Sequence, residues 1–143
     1  MKVAGTIELK SNVVITLRGP DGKVKEVREE NTVTTAGKAG AADQLLAAPT
    51  LGKPTHMAVG TGTPSGTALG TELDRNALTS KLRSGAVVTM VGDWAAGDGT
   101  GALTEAGIFD ASGAGNMYVS VSFSVVNKAA GDTLSISWTL TFA

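Results

Sequence analysis

The strongest alternation of apolar and polar positions lies near the C-terminal end of the chain. Residues 117–125 (MYVSVSFSV) place Met117, Val119, Val121, Phe123 and Val125 at every second position, with Tyr118, Ser120, Ser122 and Ser124 between them. Residues 133–142 (TLSISWTLTF) repeat the pattern with Leu134, Ile136, Trp138, Leu140 and Phe142. Period two predicts strands with one buried and one solvent-facing side. The linker at 127–132 (NKAAGD) predicts that the two close as a hairpin. The polar positions are Ser and Thr, so the wet side is expected to be uncharged and suited to meeting a neighbour.

The rest of the chain carries shorter signals of the same kind. Residues 3–9 alternate weakly through Val3, Gly5, Ile7 and Leu9, and 12–18 (NVVITLR) are rich in β-branched residues. Gly19-Pro20-Asp21-Gly22 is a strong turn signal, because Pro presets φ and Gly accepts a positive one. Residues 23–30 (KVKEVREE) complete a hairpin whose charged second strand suits an edge. Residues 55–60 and 103–109 predict strands, the latter with Gly107 as a bulge. Residues 81–92 (KLRSGAVVTMVG) read as one strand, and 72–80 (ELDRNALTS) fit either a helical turn or an extended segment. Turn-rich loops are expected at 61–70, 93–101 and 110–116. The single helix predicted is 35–48 (TAGKAGAADQLLAA), with Ala39, Ala42, Leu45 and Leu46 near helical spacing, Thr34 or Thr35 as cap and Pro49 as stop. Gly37 and Gly40 each cost such a helix about 1 kcal/mol against Ala, so close packing on a sheet is expected to compensate. Seven or eight short strands with one early helix predict a mainly β, antiparallel sandwich or barrel-like single domain spanning residues 1–143.

Composition narrows the function classes. The 143 residues include 12 Lys+Arg and 13 Asp+Glu, a net charge of −1. The basic stretches at 23–28 and 81–83 are short and read as solvated strand faces, so nucleic acid is not an expected partner. There is no cysteine and one histidine, His56, which rules out thiolate chemistry and a His/Cys zinc set. His56 beside Pro54 reads as a structural hydrogen-bonding group. No G-x-S-x-G motif accompanies it. Gly60-Thr61-Gly62-Thr63 lacks the Gly-Lys-Ser/Thr of a phosphate loop and reads as a tight crossing at a strand end. Asp93, Asp98, Glu105 and Asp110 are hard oxygen donors, but not at EF-hand spacing. No apolar run approaches the ~20 residues of a membrane helix, and the start lacks a signal-peptide core. Expected, then, are no catalytic residue, cofactor, metal or membrane partner, and synthesis in the cytoplasm. With 19 Gly and 17% charged residues the surface is small-featured and weakly charged, as in an assembly subunit. Trp138 is expected in the core; Trp94, in a Gly/Asp loop, is either a lid over the core or an interface anchor.

Five stretches in order carry a resemblance. They are 31–37 (NTVTTAG) leading into the helix, 54–64 (PTHMAVGTGTP), 69–73 (LGTEL), 103–109 (LTEAGIF) and 128–140 (KAAGDTLSISWTL). The set resembles modules of small tailed-bacteriophage virion proteins, both head-decoration (cement) proteins and minor tail or fibre proteins, and it covers residues 31–143. The resemblance implies a β-rich virion module without an active site, with residues 1–30 reaching a neighbour. A small chain of this kind fits a decoration protein that binds the major capsid protein in assembled heads, as a homo-oligomer matching local three-fold sites. The alternatives are a tail or fibre module that binds a host receptor, and a small glycan hydrolase with a carboxylate pair. Interface positions expected from their loops are Asp21, Gly22, Thr61, Thr63 and Trp94.

Overall fold

The computed structural model describes residues 8–30 and 35–142. The expected N-terminal strand at 3–9 and the Thr34 cap fall almost entirely outside them. Nine strands and one helix are present among the described residues. They are β1 (Leu9–Arg18), β2 (Val24–Glu30), α1 (Thr35–Asp43), β3 (His56–Gly60), β4 (Glu72–Ala77), β5 (Ser80–Ser84), β6 (Val87–Trp94), β7 (Gly101–Phe109), β8 (Met117–Lys128) and β9 (Thr133–Phe142). A five-stranded sheet in the order β2-β1-β9-β6-β5 faces a four-stranded sheet in the order β4-β3-β7-β8, and every pairing is antiparallel. The fold is a β-sandwich.

Alternation decides which side chains meet between the sheets. Val13, Ile15 and Leu17 of β1, Met90 and Trp94 of β6, and Leu134, Ile136 and Trp138 of β9 project from one sheet. Met57 and Val59 of β3, Leu103, Ala106 and Ile108 of β7, and Val119, Val121, Phe123 and Val126 of β8 project from the other. At roughly 1.5–3 kcal/mol per fully buried large aliphatic or aromatic side chain, this layer is the main stabilising term. Of the two indoles in it, Trp138 donates its N–H to Ser11 Oγ at 2.9 Å, whereas the buried Trp94 N–H has no partner among the described residues.

The β1–β2 hairpin forms as expected, closed by Gly22 at φ +80° and with the charged β2 at a sheet edge. Several other expectations need correction. Residues 81–92 are not one strand: Gly85, at φ +56°, opens a two-residue turn that folds β5 back on β6. At 72–80, read as either a helical turn or extended, the extended reading holds, and Glu72–Ala77 is β4. β8 and β9 do not form a hairpin with each other. The 129–132 linker crosses the sandwich, so β8 ends one sheet while β9 is central in the other. Gly107 pairs regularly with Ser120; the β7–β8 irregularities lie instead between Leu103 and Glu105 and between Ile108 and Phe109. The first of these shifts the phase of β8, so Val125 turns outward at 43% exposure and Val126 takes the core position.

The helix ends at Asp43, not at residue 48. Gln44 N–H still reaches Gly40 C=O, but Leu45 and Leu46 bond back only three residues, to Ala42 and Asp43. The Asp43 carboxylate then accepts from Thr50 N–H, Thr50 Oγ1–H and Leu51 N–H, at 3.1, 2.6 and 2.9 Å. That cluster turns the chain out of the helix before Pro49 can stop it. Leu45 and Leu46, expected on the buried face, are 89% and 56% exposed. The helix is held through Gly40, where a Cβ would overlap the Tyr118 ring of β8.

Two substitutions separate these roles. Gly40→Val should lower stability by about 1–3 kcal/mol through overpacking against Tyr118. Leu45→Ala should leave it within about 0.5 kcal/mol, because its side chain is in solvent. Urea unfolding of the two variants measures both; a large loss for Leu45→Ala would place that residue in the core after all.

Candidate functional site

Among the described residues the most constrained polar group is Glu105, on the outer face of the four-stranded sheet and fully buried. Its Oε1 accepts from Gly70 N–H at 2.6 Å, and its Oε2 from Gly62 N–H at 2.7 Å and Thr71 N–H at 2.8 Å. Thr61 N–H bonds Thr71 C=O at 3.0 Å, and Thr104 Oγ1–H donates to Gly62 C=O at 2.6 Å. The 61–71 loop is thereby closed over the carboxylate. Gly60, Gly62 and Gly70 are required by this approach: a Cβ at Gly60 would lie 2.6 Å from Glu105 Oε2, one at Gly62 2.7 Å from Thr71 N, and one at Gly70 2.6 Å from Thr63 N. Three of the five stretches that carry the virion-protein resemblance meet at this one group.

The same loop delivers Leu69 onto a small second cluster with Ala58, Phe109 and Met117 on the outside of the sheet. Arg75 completes the cover. Its guanidinium lies 3.7 Å above the Phe109 ring and donates to Glu72 and to the carbonyls of Ala111 and Ala114. α1 packs on Tyr118 at the end of the sandwich, beside Val119, Val88, Met90 and Leu140 of the inner layer.

Both ends of the sandwich are wired by further charged groups. Asp132, almost fully buried, accepts from Lys25 Nζ at 2.9 and 3.1 Å and from Ala129 N–H at 2.8 Å. The Lys25 hydrogen bond and then the Ala129 amide hold its carboxyl below the ordinary carboxylate value, against the opposing effect of burial. Buried Lys128 donates to Ala95 C=O at 3.0 Å; desolvation lowers its ammonium, with Asp132, Asp98 and Asp74 opposing. At the opposite end, Asp110 accepts from Asn116 N–H, Asn116 Nδ2–H and Gly52 N–H. Burial raises the Asp110 carboxyl, but these three bonds together lower it further. Tyr118 O–H donates to Gly52 C=O and accepts from Gln44 Nε2, and burial pushes its phenol up.

The oxygen donors considered for calcium are therefore engaged elsewhere in two cases, Glu105 and Asp110. The described residues contain no cluster of three or more acidic or histidine groups able to hold a metal. His56 Nδ1 lies 2.8 Å from Thr55 Oγ1, a local structural contact. Gly60-Thr61-Gly62-Thr63 does present amide N–H groups to an anion, and that anion is the chain's own carboxylate.

Of the expected interface residues, the structure brings together only two. Thr61 and Thr63 are exposed and line an open groove of about 610 Å³ with Glu30, Thr104, Ser122 and Ser124. Asp21 and Gly22 are exposed at the β1–β2 turn and do not line it. Trp94 requires correction: it ends β6, is 1% exposed and packs in the core beneath Gly99 of the following loop. Only the core-lid half of its expected role survives.

The outer face of the five-stranded sheet is a second candidate surface, and the side chains at its centre are half-buried. Register places Val14, Ser137 and Val91 in one cross-strand row, with Glu29 at its β2 end, Thr16, Ser135 and Asp93 in the next, and Asn12, Thr139 and Thr89 on the other side. No described element packs on this face. Its charges, Lys10, Arg18, Glu29 and Asp93, lie at the margins of that patch. Comparison with protein-family models, with characterised proteins and with solved structures finds no match.

Glu105→Ala should be among the most damaging polar substitutions, because three amide N–H groups lose their acceptor in a closed site. A loss of about 3–5 kcal/mol in urea unfolding is expected, and Glu105→Gln should lose less, since it keeps the shape and one acceptor oxygen. Acid sensitivity tests Asp132. Its folded carboxyl lies below the unfolded value of 3.8, so its stabilisation is complete above that value and is lost as pH falls through the folded one. Thermal melts should fall along this limb, and Asp132→Asn should flatten it while lowering stability at neutral pH; an unchanged acid limb would remove Asp132 from the account.

Proposed function

We propose that this chain is a non-enzymatic structural protein of a tailed-bacteriophage virion, and that it decorates the assembled head as a cement protein. The observation that carries the reading is the outer face of the five-stranded sheet, on which no described element packs. Its centre is built from Ser, Thr and Val on a rigid, mutually paired sheet, with charge confined to the margin. Such a face loses little conformational entropy when it is covered, because its short side chains have few rotamers to freeze. Its centre carries no charge, so covering the centre buries none.

The ordered motifs support the same reading in a specific way. The residues of 54–64, 69–73 and 103–109 are spent on closing one loop over Glu105, which makes them scaffold residues of a module. The polar groups at both ends likewise tie loop to loop. Binding to the assembled shell and not to free coat protein would stabilise the head by mass action, by RT ln(1 + [L]/Kd) per site. A minor tail or fibre module that binds a host receptor remains the second reading, favoured only by the Thr61/Thr63 groove.

Cryo-electron microscopy of particles that carry the protein tests the location. Regular density on the head lattice is expected; density confined to the tail or its tip would replace the cement reading with the tail one. Ser137→Lys tests the face. The variant should melt like the parent, since a surface substitution of this kind changes stability by at most about 0.5 kcal/mol. Its occupancy on heads should fall at least about tenfold, because docking would bury an unpaired ammonium. Normal decoration by Ser137→Lys would exclude this face as the contact.

A further inference from the structure

We propose that copies of this chain join head to tail through the two open edges of the five-stranded sheet, the acidic edge β2 of one copy against the basic edge β5 of the next. The occupant of each edge is a second copy of this chain. The inference holds whether or not the protein decorates a head.

Edge strands present unpaired backbone N–H and C=O groups, and proteins commonly guard them with charge. Here the two guards have opposite sign. On β2, Arg28 is engaged by Glu26 at 2.6 Å and also reaches Ser124 and Val125 C=O, while Lys25 is engaged by Asp132. Glu29 and Glu30 are left with no cationic partner among the described residues. On β5, Lys81 Nζ donates to Pro54 C=O at 2.7 Å and Arg83 to Gly85 C=O at 2.9 Å. Neither has a carboxylate partner among the described residues. An edge guarded by acid and an edge guarded by base attract each other, so charge that blocks like edges would select unlike ones.

Register places the matching side chains on the same sides of the sheet. Glu30, opposite Val13, and Lys81, opposite Met90, both flank the side that faces the four-stranded sheet. Val27 and Leu82 both flank the outer side, and they are 56% and 69% exposed. Joining β2 to β5 therefore sets Glu30 beside Lys81 and Arg83 on the inner side and Val27 beside Leu82 on the outer side, where Glu29, opposite Val14, adds to the acidic character of the β2 edge. Alternating antiparallel pairings make β2 and β5 run in the same direction, so the joint between copies is a parallel one. A two-fold joint would instead set Lys81 and Arg83 against themselves, or Glu29 and Glu30 against themselves. The contact is thus heterologous, and it closes as a ring or propagates as a filament according to the angle between copies.

Sedimentation velocity on the full chain tests this. The parent should associate beyond the monomer at about 0.05 M salt and dissociate toward it at about 0.5 M, where surface charges are screened within a few ångströms. The double variants Lys81→Glu/Arg83→Glu and Glu29→Lys/Glu30→Lys should each sediment as monomers with unchanged melting temperatures. Mixing the two should restore association, because one then carries acid on both edges and the other base on both. A parent that stays monomeric at low salt, association that persists in either variant, or a mixture that fails to associate would each overturn the proposal. Should a variant not fold, carbodiimide coupling of isotopically light and heavy parent chains gives an independent reading. An inter-copy link from Glu30 to Lys81 is expected, and only intra-chain links would overturn it.

Discussion

A carboxylate cannot be sealed away from water unless donors replace its hydration, because the uncompensated penalty is several kcal/mol. Glu105 meets that constraint with three backbone amides from one loop, and much of the structure depends on it. The three N–H groups converge only if the 61–71 loop folds down on the sheet. It can fold that close only if residues 60, 62 and 70 lack a Cβ. Once it is down, Leu69 is carried onto Ala58, Phe109 and Met117, and the four-stranded sheet is covered on its outer side. The open sheet face is then left on the other half of the sandwich.

How far the sequence foretold this differs from element to element. The β1–β2 hairpin was legible because Gly19-Pro20-Asp21-Gly22 names its own turn, and the core face of β9 was legible because only one face of that strand is buried. The same alternation misled for β8. Tyr118 and Ser120 are buried under the helix and the sheet's outer cover, and the irregular pairing near Thr104 reverses the phase before Val125. Periodicity along one strand carries no information on a bulge that is set by its partner. The helix was overrun for a related reason. Leu45 and Leu46 satisfy helical spacing, but the side chain that ends the helix, Asp43, acts through Thr50 and Leu51, which no local helix signal includes.

The site was less legible than the fold. Glu105 was visible only as one of four scattered carboxylates, and Gly60-Thr61-Gly62-Thr63 only as an incomplete phosphate loop. Their meeting needed the β3–β7 register, which sets Gly60 opposite Glu105. A usable signal did exist: a Gly-rich loop with no lysine, followed at long range by a lone Glu within an apolar strand, is the composition of a loop that binds its own anion. Trp94 failed for the opposite reason. Its neighbours are Gly and Asp, so composition placed it in a loop, although β6 extends through it and buries its ring.

The buried polar groups and the exposed surfaces divide the work of the molecule. Lys128, Asp132, Asp110, Tyr118 and Arg75 all hold loops across the ends or outer side of the sandwich, so the frame is rigid where charge is concentrated. The open sheet face is rigid for another reason, since each strand in its centre is paired on both sides, and it needs no charge to stay ordered. These two properties bear on each other if copies join edge to edge. Extending the five-stranded sheet through β2 and β5 turns the Ser/Thr face of successive copies toward the same side, apart from the rotation at each joint. A face too weakly polar to bind tightly alone would then be presented many times on one scaffold, and linked sites gain avidity through effective concentration without any new contact. The chain would bind well only to a target that repeats with the same spacing, which an assembled lattice provides and a free subunit does not.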